Sequence, residues 1–449
     1  MRRIEGLAER IAESGGRAFF VGGYVRDSLL GREPKDIDIE VYGLEPDTLV
    51  EILSTAGRVD LVGRQFGVLR AAGLDVDWTL PRRDSAGRHP RVAINPHLSF
   101  REATRRRDLT VNALLKDVLT GELVDPWGGQ ADLEKGVLRA PDRSLFVEDP
   151  LRFYRVMQLC ARLGMTPDPE LDSLCAGMEI HTVARERVEE EFNRLWLEAA
   201  RPSLGLAWVQ RVGRLAEVLP PLAGTPATPQ DPEWHPEGNV WTHTLQVVDA
   251  AAALREGERG RDLMLLWAAA LHDCGKPATT RQEGGHLRSP EHDRESESLA
   301  SPFLRGLLRS QRVAEGAVKL IAQHMKPLQF HQNQSSEKAF KRLALKLAPE
   351  ADLELLAALA LADGRGTNPA GGAPLTRDFE MVDWFREMSE QARVSREPEK
   401  PVLKGRHLLG IIEPGPRLGQ VLEEAYRIQI EEGITEVEEL KRRVVGEVN

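Results

Sequence analysis

The sequence predicts a multidomain α+β protein: a head that mixes strands and helices, followed by helical regions to the end of the chain. Three observations carry this. Short β-branched runs separated by Gly and Pro fill residues 1 to about 140. Apolar residues then recur at helical spacing, as in Leu151, Val156, Leu159 and Leu163 and again in Val188, Phe192 and Leu195. Seven of the eleven histidines fall between 235 and 331, within a second helical stretch.

In chain order, strands are expected near Ala18–Val21, Ile37–Tyr42, Val68–Ala72, Leu74–Leu80 and Leu123–Val124. Residues 145 to 220 read as helical. Leu219 to Pro236 holds six prolines and one glycine and reads as a linker. Helices resume from 238 to about 365. A charged, proline-containing block, Ser395–Lys404, precedes a last helical piece. The expected domains are 1–140, a head; 141–225, a helical neck and body; 226–370, a histidine-bearing helical domain; and 371–449, a helical C-terminal region.

Composition narrows the function classes. The chain has 449 residues, 41% apolar and 29% charged, which suits a globular protein of several domains. Three cysteines without metal or disulfide spacing suit a reducing compartment. No apolar run is long enough to span a bilayer, and Met-Arg-Arg-Ile-Glu-Gly lacks a signal-peptide core, so a cytoplasmic protein without membrane partners is expected. The net charge of −10 does not point to nucleic acid. Its distribution does: residues 81 to 107 carry eight arginines against Asp84 and Glu102, a net of +6. A local basic patch on an acidic protein can hold a phosphate backbone.

The most informative segment is Phe20-Val21-Gly22-Gly23-Tyr24-Val25-Arg26-Asp27, followed by Lys35-Asp36-Ile37-Asp38-Ile39-Glu40. Without Cβ atoms, paired glycines after a strand let the backbone approach a phosphate chain. Aspartates at spacing two share one face of a strand. Two carboxylates on one face suit Mg²⁺, the usual partner of a nucleoside triphosphate, and point to two-metal nucleotidyl transfer. Further on, Asp149 and Arg152 flank Pro150 at a helix start, three residues apart and facing the same way. Side by side they offer one acceptor and one donor edge. That pattern matches cytosine and adenine and leaves guanine and uracil with unpaired groups.

The first 200 or so residues resemble the class II tRNA nucleotidyltransferase and bacterial poly(A) polymerase family, with its polymerase-β-like head. Five segments in order carry the resemblance: Gly22-Gly23-Tyr24-Val25-Arg26-Asp27 with Asp36 and Asp38; Arg106-Arg107-Asp108-Leu109-Thr110-Val111-Asn112-Ala113-Leu114; Asp125-Pro126-Trp127-Gly128-Gly129 through Asp132-Leu133; Glu148-Asp149-Pro150-Leu151-Arg152; and Glu186-Arg187-Val188 with Glu191. The resemblance implies that Asp36 and Asp38 bind catalytic Mg²⁺, with Asp77 as third acid. Asp75 shares its strand face, and spacing alone does not separate the two. It implies that Gly22, Gly23 and Arg26 cradle the triphosphate and that Arg107 adds charge there. Asp108 would sit near the ribose, with Asn112 and Arg155 completing the nucleotide site and Asp149 and Arg152 templating the base. The chain departs from relatives at Gln158, where they commonly carry Arg, and in the less acidic run Glu102-Ala103-Thr104-Arg105.

Leu271-His272-Asp273-Cys274-Gly275-Lys276-Pro277 resembles the signature of the HD phosphohydrolase superfamily, and His243, His292, His324 and Asp363 fall where its fuller versions place ligands. Imidazoles with carboxylates form a first-row metal site, whose metal the sequence does not identify. Six ligands would permit two metals. His235, His286 and His331 have no match and read as structural or solvent-facing. The expected activity is addition of C and A from CTP and ATP to the tRNA 3′ end, with phosphohydrolysis at the HD site. An A-adding enzyme or poly(A) polymerase is the alternative within the class. A phosphohydrolase with an RNA-binding head is the alternative outside it. The oligomeric state is not legible.

Overall fold

The computed structural model describes residues 1–34, 36–62, 68–84, 92–369 and 372–446. Lys35 and two arginines of the basic stretch, Arg88 and Arg91, lie outside them. The chain divides into two compact units: residues 1–195 with 207–214, and 196–206 with 215–449.

The first unit is built on a seven-stranded mixed sheet. Its strands include β1 (Arg17–Val21), β2 (Asp38–Tyr42), β3 (Val59–Val62), β4 (Val68–Ala71) and β5 (Asp77–Thr79), followed by Leu115–Asp117 and Leu123–Val124. The order is β3-β4-β5-β2-β1, then the last two. β2 runs parallel to β5 and antiparallel to β1. The strand expected over Leu74–Leu80 is only three residues long, and β2 begins at Asp38, so Asp36 sits just before it.

Alternation along β2 sorts the two faces. Ile39 and Val41 join Phe20 and Trp78 in a core covered by α1 (Arg2–Glu13) and α3 (Pro46–Ser54) through Ile4, Leu7, Ile11, Leu49 and Leu53. Each such side chain contributes about 1.5–3 kcal/mol when fully buried. Asp38, Glu40 and Tyr42 point to the opposite face, where Tyr42 packs with Phe19, Val21, Leu98 and Leu115. One face thus packs the main core, and the other carries Asp38 and Glu40 beside a smaller apolar cluster.

The second unit is helical. Helices Val240–Ala253, Arg259–Leu271, His292–Leu307, Gln311–Gln323 and Leu353–Arg365 form its centre. Asn239, Ser310 and Asp352 cap three of them by accepting from backbone N–H groups. Helices Pro416–Glu432 and Val437–Gly446 close a smaller core around Leu408, Ala425 and Leu440.

The Leu219–Pro236 segment is not the solvated linker its composition suggests. It folds into two short 3-10 turns, Pro220–Leu222 and Thr225–Ala227, with Leu219, Leu222 and Thr225 buried. The fixed φ of proline favours such turns, and apolar residues between the prolines give them something to bury. Gly224 lies so close to Pro277 that a Cβ there would stand 2.9 Å from the proline ring.

Candidate functional sites

The head site starts at the end of β1. Gly22 takes φ 67°, which a side chain resists, and a Cβ there would meet the Arg107 guanidinium at 3.2 Å. The glycine therefore lets an arginine lie against the turn. Across the sheet, Asp38 stands in register with Asp77 on the parallel neighbour β5. Burial raises the Asp38 carboxyl above its usual range. Arg107 opposes this, while Asp77 and Asp36 push it further up. Asp38 therefore feels both other carboxylates at the start of the adjacent strands β2 and β5. Asp75 lies before β5, outside the register that sets Asp77 against Asp38, and it acts on Arg70 together with Asp77 and Asp38. Arg70 pairs with Asp77, with Nη2 3.0 Å from Oδ2.

Glu40, two residues beyond Asp38 on the same face, was not recognised as a site residue from the sequence. It is fully buried. It accepts from the Tyr42 hydroxyl (2.6 Å) and from Arg106 Nη2 (3.1 Å), and Arg107 Nη2 lies 3.7 Å away. A buried carboxylate thus holds the two adjacent arginines beside the Gly22 turn. Period-two alternation after Asp38 was the signal that could have found it.

Four of the expected nucleotide-binding residues form one chain of hydrogen bonds. Arg26 is buried and donates to Asp27 (2.8 and 2.9 Å) and to Asn112 Oδ1 (2.6 Å). Asn112 donates to Asp108 (3.0 Å), which also accepts from Arg155 Nε (2.6 Å). Burial works against the charged Asp108, but Arg155 and Asn112 outweigh it and hold the carboxyl well below its usual range. Arg26 and Arg155, expected at the nucleotide, pair here with Asp27, Asn112 and Asp108; Arg26 is buried and Arg155 is 32% exposed.

Asp149 and Arg152 are not bonded side chain to side chain. Arg152 donates to the carbonyls of Leu145 (2.6 Å) and Arg106 (2.5 Å), and burial lowers its pKa. Asp149 accepts from the Leu151 N–H (3.1 Å). Several arginines of the basic stretch are engaged within the protein. Arg83 pairs with Glu102, Arg105 with Asp142 (2.6 Å) and Arg106 with Glu40, while Arg101 donates to the Pro126 carbonyl and covers the Trp127 ring. Two acids from outside the stretch, Asp142 and Glu40, thus offset part of the charge counted along the sequence.

The second unit brings all six expected HD residues together. Asp273 is the centre. Its Oδ2 lies 3.3 Å from His272 Nε2 and 3.7 Å from His243 Nε2; its Oδ1 lies 3.3 Å from His292 Nε2 and 3.8 Å from His324 Nε2. Asp363 Oδ1 is 3.0 Å from His243 Nε2 and 3.8 Å from His272 Nε2. Helix ends supply the ligands: His272 and His324 follow directly on helices, and His292 begins one. Each Nδ1 is held from behind. Those of His272, His292 and His324 lie 3.0, 2.7 and 2.7 Å from the carbonyls of Ala269, Ser289 and Ile321, and that of His243 lies 2.8 Å from Glu237. This fixes the rings with Nε2 inward, as metal-binding imidazoles require.

Two observations test the fit to a cation. His243 Nε2 and His272 Nε2 are buried and neither makes a hydrogen bond of acceptable geometry. Burial, with His272 and His292 nearby, pushes His324 down to about 4, while against burial Asp363 and Glu237 raise His243 to about 9 and Asp273 raises His292: imidazoles and carboxylates share protons here that a bound cation would displace. The donor set of imidazoles and carboxylates suits a divalent metal. Glu237 was missed in the sequence, where a lone acid between Pro236 and Gly238 gives no pattern. His235, read as structural, leans on Glu237 at 2.9 Å and so supports the site indirectly. Lys276 Nζ lies 2.7 Å from Asp273 Oδ2.

Known proteins share both halves. The family model for the poly A polymerase head domain matches residues 18–139, and that for the HD domain matches 240–364. A multifunctional CCA protein of Leptothrix cholodnii is 35% identical over 298 residues, covering 64% of this chain and 67% of its own. One from Alkalilimnicola ehrlichii is 32% identical over 319 residues, covering 69% and 73%. The matched segments span about two thirds of these relatives' length. The crystal structure of the Bacillus stearothermophilus CCA-adding enzyme in complex with CTP superposes with a TM-score of 0.64 over 98% of this chain and 97% of its own, at 21% identity. The Thermotoga maritima CCA-adding enzyme complexed with tRNA gives 0.57 over 100% and 95%, at 17% identity, so these two establish a shared fold. With both family models in order and curated relatives at this identity and coverage, the chain belongs to the CCA-adding and poly(A) polymerase family, as a member that carries an HD domain.

Proposed function

We propose that this chain adds C and A nucleotides from CTP and ATP to the 3′ end of tRNA, and that its HD centre hydrolyses phosphate esters. The observation that carries the first half is the register of Asp38 with Asp77, with Asp36 two residues before Asp38, beside a glycine turn overlaid by Arg107. Asp36 and Asp38 would hold Mg²⁺, with Asp77 as third acid; bound there, the metal supplies charge for the attacking and leaving oxygens. Arg107, held by Glu40, sits where a triphosphate would meet the Gly22–Gly23 backbone. The terminal hydroxyl of the RNA attacks the α-phosphate and pyrophosphate leaves. Arg152, fixed by two carbonyls, and Asp149 beside it would present the edges that accept C and A. The 1–140 head, a helical body to about 225, the HD domain to 370 and a C-terminal region form our proposed division of labour. The names of the relatives and of the solved structures support this reading.

At the HD centre Asp273 faces two groups of imidazoles, one on each oxygen, an arrangement suited to two cations. Water would add across a P–O ester bond to leave a hydroxyl and a phosphate. No helix among the described residues is long and apolar enough to cross a membrane. With three buried free cysteines, this supports action in the cytoplasm.

The test uses tRNA transcripts ending before CCA, after C and after CC, each with CTP, ATP or both. The reading predicts C on the first two and A on the third. Incorporation of A alone on every transcript would assign an adenylyl-only enzyme, and no incorporation on any would leave the head as a binding module.

A further inference from the structure

Of the eight tryptophans, Trp234 alone is exposed, at 51%; the others are buried or half-buried. Its indole stacks on the His286 imidazole, with centroids 5.4 Å apart and planes 30° from parallel. Asp231 ties together the two segments that carry the pair. The buried Asp231 carboxylate lies 3.1 Å from His286 Nδ1 and accepts from the Leu287 N–H at 3.0 Å, while the Asp231 carbonyl accepts from the N–H groups of Trp234 (3.2 Å) and His235 (2.8 Å).

Both halves of the pair are tethered to the HD centre. The residue after Trp234 is His235, whose ring lies 5.0 Å from that of His243 and shares Glu237 with it. His286 belongs to the hairpin Arg281–Glu283 and His286–Arg288, and the next residue, Ser289, holds His292 Nδ1 by its carbonyl. At the base of that hairpin Arg281 stands directly opposite Arg288. Like charges so placed cost stability, and Arg281 offsets part of this on Glu283 (2.6 Å). An exposed, preorganised aromatic face with arginines nearby matches the chemistry of a base bearing a phosphate.

We propose that the Trp234–His286 pair is a stacking subsite for the nucleobase of the ester cleaved at the HD centre. The substrate is then a nucleoside phosphate, free or at an RNA end, in preference to a phosphate ester without a base. This rests on the phosphohydrolase reading of that centre.

The test uses the full chain loaded with Mn²⁺ and three esters: adenosine 2′,3′-cyclic phosphate, a short oligoribonucleotide ending in a 2′,3′-cyclic phosphate, and glycerol 1,2-cyclic phosphate, which has the same ring and no base. Trp234→Ala should lower kcat/KM for a base-bearing ester relative to the glycerol ester by about tenfold or more, chiefly through KM, and Trp234→Phe should restore most of it. Loss on both base-bearing esters assigns the subsite to free nucleotides and RNA ends alike; loss on one assigns it to that source. An unchanged ratio, or equal loss on all three esters, overturns the proposal. If the wild type cleaves none of the three, the phosphohydrolase reading falls. The subsite is then judged by binding of adenosine 2′-monophosphate, and equal affinity of wild type and Trp234→Ala overturns it too.

Discussion

Asp77 and Asp75 share a strand face in the sequence, and only the pairing of β5 with β2 separates them. Asp77 stands in register with Asp38, and Asp75 lies before β5, outside that pairing. Asp36→Ala, Asp38→Ala and Asp77→Ala should each cut nucleotide addition by about 10²–10³-fold or more, while Asp75→Ala should leave it within a few fold. Single-turnover extension of a tRNA transcript ending in CC measures this, and equal loss in the Asp75 and Asp77 variants would count against the assignment. Asp149 and Arg152 make a second residue-level test. Arg152 bridges the Leu145 and Arg106 carbonyls, so Arg152→Ala should lose stability, about 1.5–3 kcal/mol, as well as base choice. Asp149→Ala should relax discrimination of CTP from UTP at little cost in stability. Unchanged relative use of the two nucleotides in both variants would remove the templating role. Motifs made these residues legible, because the chemistry needs the residue types themselves. The partners of Arg26 and Arg152 were not legible, because a guanidinium engages whatever carbonyl or carboxylate the fold brings near. Glu237, a lone acid between Pro236 and Gly238, carries no pattern of its own, whereas Glu40 continues the alternation that starts at Asp38.

At the scale of elements, the buried run Arg26–Asn112–Asp108–Arg155 joins α2 (Gly23–Leu29), the turn at Thr110–Asn112 and the helix Leu151–Leu163. Removing one side of a buried ion pair costs about 3–5 kcal/mol, so Asp108→Asn should lower the stability of the head by roughly that amount at pH 7. An unfolded aspartate titrates near about 4, and Asp108 in the folded head titrates below that. Its contribution is therefore full above about pH 4 and is lost as pH falls further. The gap between wild type and Asp108→Asn in calorimetric unfolding should be constant from pH 5 to 8 and close under stronger acid; a gap that stayed constant into acid would contradict the pairing. The helices and most strands were legible from apolar spacing, as Ile39 and Val41 alternating with Asp38 and Glu40 illustrate. The Leu219–Pro236 segment was not. Its prolines look like a linker until Leu219, Leu222 and Thr225 are seen buried around them.

At the scale of the whole molecule, the division is not a simple cut. Residues 196–206 belong with the second unit, where the buried Trp196 ring meets Trp267 at 5.2 Å and Arg255 donates to the carbonyls of Trp196 and Ala199. A fragment ending near 220 would expose Trp196 and should be poorly soluble, so the independence of the two centres is better tested in the full chain. The central claim is that one chain carries two metal centres with separate chemistry, the head carboxylates in one compact unit and the HD cluster in the other. The direct measurement compares His272→Ala/Asp273→Ala with Asp36→Ala/Asp38→Ala in parallel, scoring bound first-row metal by mass spectrometry and nucleotide addition on a tRNA transcript. The first variant should lose the metal and still add nucleotides; the second should keep the metal and add none. Loss of both properties in a folded His272→Ala/Asp273→Ala protein, or nucleotide addition at the wild-type rate by Asp36→Ala/Asp38→Ala, would contradict the claim.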